Sequence, residues 1–95
     1  MAFVKVKRFR SSANIVACEV TSHSVADILV CKVESEDIAN GNDHLWYFVE
    51  LDSAANSKIC FIKSRPVADL LVCYVSSIDK AGWVKHNHPL KGKIG

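Results

Sequence analysis

Alanine followed by Asn, Asp or Gly recurs at Ala13-Asn14, Ala26-Asp27, Ala39-Asn40, Ala55-Asn56, Ala68-Asp69 and Ala81-Gly82, with alanine spacings of 13, 13, 16, 13 and 13. Serines at Ser22, Ser35, Ser64 and Ser77 keep the same phase. A fixed period constrains the fold before any local motif does, because each unit must take up the same local structure and bury its apolar side on its neighbours. The one longer unit carries three extra residues, best placed as Gly41, Asn42 and Asp43 in ANGND, a turn-forming insertion.

Within a unit the first six or seven residues alternate with the period of a strand. Leu29, Cys31 and Val33 lie on one face and Ile28, Val30 and Lys32 on the other. The first face is expected to be the core face, repeated as Val16, Cys18, Val20; Leu45, Tyr47, Val49; Cys60, Ile62; and Leu71, Cys73, Val75, with Lys58 out of character. The remainders SHSVAD, SEDIAN, SRPVAD and SSIDKAG begin with a residue that caps well and end at one that accepts left-handed geometry. They predict tight bends or single helical turns. The fold class expected is mainly β: six to seven short strands from a 13-residue repeat, wound into one compact domain over residues 1–95, with 83–95 as a C-terminal tail.

The segment FVKVKRFR, from Phe3 to Arg10, alternates apolar and basic residues and reads as an edge strand whose lysines discourage aggregation. Its other reading is phosphate contact with nucleic acid through Lys5, Lys7, Arg8 and Arg10, joined by Lys85, Lys91 and Lys93. The net charge of +2 conceals segregation, since residues 1–10 hold four bases and no acid while residues 11–52 hold one base and eight acids. Without a recognition helix or zinc finger, scattered solvated charge is the plainer reading. Mutual wrapping of the units also uncouples sequence blocks from surface patches.

Cys18, Cys31, Cys60 and Cys73 share one phase of the repeat, where the fourth unit has Tyr47. A thiol exchangeable with a phenol behaves as a small buried hydrophobe, so these are expected to be structural core cysteines. Paired CxxC spacing is absent, and so is the apolar leader of a secreted chain; neither a zinc site nor a disulfide framework is expected, and the location expected is cytoplasmic. Phe48, Phe61 and Tyr74 form an aromatic stripe, read as a second packed layer and alternatively as a binding surface. His44, His86 and His88 lack a third ligand at metal spacing, and no nucleophile elbow or phosphate-binding loop is present. No catalytic residue, metal ligand or cofactor is therefore assigned, and the histidines near the C terminus are expected to be solvated.

The order of these features resembles the septoil knot domain, the seven-crossing torus-knot family of small bacterial proteins. The resemblance is carried by VKVKRFRSSAN, the repeated Ala-Asp/Asn before a short apolar strand, ANGNDHLWYF, and KAGW before a Lys/His-rich tail. It implies a strand-rich backbone that winds deeply through its own loops, an exception to the usual rules of connection. The family's function being unknown, the resemblance carries over no active site. The leading functional expectation is a non-enzymatic structural or protein-interaction domain, with a nucleic-acid-binding module as the alternative. A homo-oligomer or a protein partner would suit strands apolar on both faces, and no membrane partner is expected.

Overall fold

The computed structural model describes residues 2–35, 37 and 42–94. Of the repeat marks, Ala39-Asn40 and the inserted Gly41 lie outside the described residues. Seven strands are found among those described: β1 (Phe3–Val6), β2 (Ile15–Glu19), β3 (Ile28–Lys32), β4 (Leu45–Phe48), β5 (Ser57–Phe61), β6 (Leu70–Tyr74) and β7 (Gly82–Trp83).

The first six strands run parallel in the order β4-β1-β5-β2-β6-β3, and a β3–β4 pairing closes them into a barrel. The short β7 adds antiparallel to the first half of β3, with Ile28 opposite Trp83, while the second half of β3 takes β4, with Cys31 opposite Leu45. Consecutive strands are not neighbours except at β3–β4. The chain steps past one strand position each time, and a second wind, β4 to β6, fills the gaps left by the first, β1 to β3.

All-parallel pairing requires each connection to travel back the length of a strand. The connections at 7–14, 20–27, 49–56 and 62–69 do this in eight residues. A five-residue strand is about 16 Å long and two strand spacings are about 10 Å, so the diagonal is about 19 Å; eight residues reach about 26 Å when extended. The slack is taken up by a 3-10 turn in three of these returns, at Arg10–Ser12, Asp52–Ala54 and Arg65–Val67, and in the return 20–27 by a turn in which the Val25 N–H bonds the Ser22 carbonyl; a fourth 3-10 turn, Ile78–Lys80, lies in the link from β6 to β7. Of the expected end signals only Gly82, at φ 155°, takes a positive φ; the described Asn and Asp residues at the same place do not. Ser64 and Ser77 make no side-chain cap, and the alanines that end the turns are extended, each donating its N–H to the carbonyl three residues back. No residue of these turns is buried, so solvent can satisfy their first N–H groups without a side-chain cap.

The core runs down the barrel axis and is made by Val4, Ile15, Ala17, Ile28, Val30, Trp46, Ile59, Leu70 and Val72, closed at one end by Ala2 and Ile94. This corrects the expected core face. The face of Val16, Leu29, Leu71 and the cysteines points outward, under the returns. Both faces are apolar because both are covered, and the inward face carries its charges, Glu19 and Lys32, only where strands end at the solvent. The strand β1 is likewise no edge, being paired with β4 on one side and β5 on the other. Barrel closure leaves its lysines on an outer face instead.

Candidate functional site

The Asn or Asp that opens each repeat is a register clasp. Asn14 donates its backbone N–H to the Lys58 carbonyl at 2.8 Å and accepts the Lys58 N–H on Oδ1 at 3.2 Å. Asn56 makes the same pair of bonds with Phe3, Asp69 with Val16 and Asp27 with Leu71. A side-chain oxygen here replaces the carbonyl that a preceding strand residue would have offered, so an N–H in the first two residues of the neighbouring strand is satisfied where the ladder begins. Asx residues suit the place because their oxygen sits one carbon from Cβ and reaches across without a turn.

Two of these carboxylates do more. Asp27, 5% exposed, also meets Lys85 Nζ at 2.9 Å and His88 Nε2 at 3.3 Å, while its carbonyl accepts the N–H groups of Val84 and Lys85. Asp43 stands at the corresponding place before β4. Its carboxylate accepts the Trp83 indole N–H at 3.0 Å and the backbone N–H groups of Gly92 and Ile94, and its carbonyl accepts the Trp46 indole N–H at 2.6 Å. Ser57 Oγ donates to the Ile94 carbonyl at 2.9 Å. Residues 84–94 are thereby drawn across the barrel end where the strands begin, with Ile94 1% exposed in the core and Leu90 packed against it.

His88 is correspondingly not a solvated tail residue. Its Nδ1 accepts the Leu90 N–H and its ring stacks on Trp83 at 5.3 Å, leaving Nε2 to donate to Asp27. His86 is exposed. Asp27 was hidden by sharing the phase of weaker clasps, and Asp43 by its placement in the insertion; the structure instead sets Asp43 two residues before Leu45, as Asp27 stands two before Leu29. No group of three or more His, Cys, Asp or Glu able to hold a metal occurs among the described residues.

At the opposite end, Phe48, Phe61 and Tyr74 pack half-buried on the core, with Trp46 edge-on to Phe48 and Tyr74. Lys32 Nζ lies 4.6 Å from the Tyr74 ring centre and 5.4 Å from that of Phe48. Burial, with the Glu19 charge adding to it, raises the Tyr74 phenol well above the ordinary tyrosine range.

The four cysteines are buried free thiols on the outer face of consecutive strands, and the Cys60 thiol points at the Arg8 carbonyl of the first return, 3.8 Å away. They lie beside the axial core rather than in it. Of the basic residues, Lys5 stands directly across from Lys58, and Lys7 pairs with Asp52 at 2.7 Å. Arg8, Arg10, Lys91 and Lys93 are exposed, whereas Lys85 is drawn to Asp27. The structure thus gathers the N-terminal lysines with Lys58 and gives Lys85 a partner inside the fold.

Fold and site together define a small parallel barrel made of two interleaved winds of one unit, its buried polar groups spent on strand register and barrel closure. The chain belongs to the 7(1) septoil knot domain family, whose model matches residues 1–84. The function of that family is unknown. No curated protein and no solved structure matches the chain.

Proposed function

We propose that the chain is a non-enzymatic structural or protein-interaction domain. The observation that carries this reading is the use made of its buried carboxylates and the imidazole beside them: Asp27, Asp43 and His88 face backbone N–H groups, an indole and each other. Their directional capacity is turned inward, whereas a catalytic group needs reach toward a substrate atom. Screening esterase, phosphatase and nuclease substrates is expected to show no turnover. Activity that co-purifies with the protein and vanishes in His44→Ala or His86→Ala would overturn the reading.

The backbone, on this reading, is knotted. Membership of the family and the strand-skipping double wind both support it, since a chain that passes twice around one barrel must lead later returns past earlier ones. A cytoplasmic location is supported by the four free, buried thiols, which suit a reducing compartment. Fractionation of the source cells tests that. No helix of the described residues is long and apolar enough to cross a membrane.

A second reading, nucleic-acid binding, is favoured by one observation: Lys5 and Lys58 stand opposite each other on paired strands. Like charges so placed cost stability and are eased by an anion. Fluorescence polarisation with a labelled oligonucleotide, titrated at several salt concentrations, tests it through the steep salt dependence that phosphate contacts impose.

A further inference from the structure

The outer face of β4, β1 and β5 differs from the rest of the barrel. On β2, β3, β5 and β6 the outward position immediately before the last residue of the strand carries a cysteine no more than 6% exposed. On β4 that phase holds Tyr47, which is only half-buried, and the outward residues of β1 beside it, Phe3 and Lys5, are also half-buried. Phe3 and Tyr47 are register partners, with ring centres 5.6 Å apart and planes at 59°. Next along β1 comes Lys5, with Lys58 across from it on β5. Lys7 follows on the same side, its backbone still joined to the sheet through the Ile59 carbonyl. An aromatic pair therefore leads into a row of cations spaced two residues, or about 6.6 Å, apart.

The row already holds one anion of its own. Asp52, in the turn of the return between β4 and β5, reaches Lys7 at 2.7 Å with its side chain 47% exposed. Its carboxyl is held below the usual range first by the Lys7 hydrogen bond, with the charges of Lys7, Lys58 and Lys5 adding to it. A carboxylate brought to the surface among three lysines occupies the place a phosphate oxygen would take, and being exposed it can be displaced.

We propose that this face, formed by Phe3, Tyr47, Lys5, Lys7 and Lys58, is a binding site for single-stranded nucleic acid, with Asp52 as an internal counterion that the phosphate backbone displaces. The inference rests on the nucleic-acid reading above and moves the contact from both chain termini to one sheet face. Aromatic rings beside a cationic track are the combination that single strands require, since every base offers a face for stacking and the phosphates follow the charge. A duplex, its bases already stacked, gains nothing from Phe3 and Tyr47.

The test is polarisation of a labelled twelve-residue oligothymidylate with the full chain between 20 and 200 mM salt, a probe chosen to lie within about one site of a small binding fold. Lys58→Ala is expected to weaken binding several-fold and to flatten the salt slope by about 0.7, the value for one phosphate contact on a single strand. Tyr47→Leu is expected to weaken it at least fivefold, and Asp52→Asn to strengthen it and steepen the slope. Lys80→Ala, in the link from β6 to β7, serves as control. Binding that Lys58→Ala and Asp52→Asn leave unchanged, or that Lys80→Ala weakens as much, overturns this site while the nucleic-acid reading stands. A preference for duplex of the same sequence also overturns it. No binding at the lowest salt removes both.

Discussion

At the scale of single residues the repeated Asx is the most telling position, because one residue type does graded work. Asp69 is exposed and satisfies one N–H of Val16, so Asp69→Ala is expected to cost about 1 kcal/mol, read from the denaturant midpoint. Asp27 is buried among Leu71, Lys85 and His88, and Asp27→Ala strands several polar groups together; a loss of about 3 kcal/mol is expected. Equal costs at the two positions would contradict the graded role. Tyr74 gives a pH expectation of definite sign. Its folded-state pKa lies above the unfolded value of 10.0, so the neutral phenol contributes stability that is fully present below pH 10 and is lost as pH rises toward the folded value. In an alkaline absorbance titration the Tyr74 phenolate should emerge only beyond the ordinary range. A Tyr74 phenolate appearing near pH 10 would show the phenol to be solvated instead.

Elements follow from how strands and returns share faces. The cysteines lie on consecutive strands β5, β2, β6 and β3, yet each is displaced by two residues from the next: Cys60 stands opposite Val16, Cys18 opposite Leu71, and Cys73 opposite Leu29. Two residues along and one strand across place their Cα atoms about 8 Å apart, beyond disulfide reach. Aerated protein is expected to keep four thiols that react with a thiol reagent only after denaturation. Rapid labelling of the native protein would mean that the returns do not cover this face. The closing segment, 84–94, is the other element with a testable role. Ile94→Ala removes a fully buried side chain and should cost about 2–5 kcal/mol while exposing Trp83, whose indole is held by Asp43. Iodide quenching reads the outcome, because Trp46 is fully buried and should remain protected in the variant.

Taken whole, the molecule couples every strand to others distant in sequence. Each strand of the first wind lies between strands of the second, so no strand can leave without breaking ladders on both sides. Global unfolding is therefore expected to be slow, in minutes or longer in strong denaturant, and far slower than local opening of the closing segment. Hydrogen exchange separates the two: the Gly92 and Ile94 amides should exchange through a smaller opening than the amides of β5 and β6. Millisecond unfolding with equally fast refolding would count against a knotted chain.

How much of this was legible depends on the range of the interaction. The period, the strand positions and the single turns between them follow from the sequence alone, because alternation and turn-forming residues act within a few neighbours. Strands beginning at 15, 28, 57 and 70 keep the spacing of the alanines that precede them. The inward face was not legible: Ile28, Leu29, Val30 and Cys31 are all apolar, and only the path of the returns over the outside decides which of them meets the axis. The role of the Asx residues was equally hidden, since Asn14 and Lys58 are 44 residues apart and meet only through strand order. Nor could spacing show that Lys5 would face Lys58, or that His88 would turn inward to Asp27. Local sequence determined the unit; the interleaving of two winds, a matter of long-range pairing and chain path, determined which side of each unit is core, which is clasp and which faces outward.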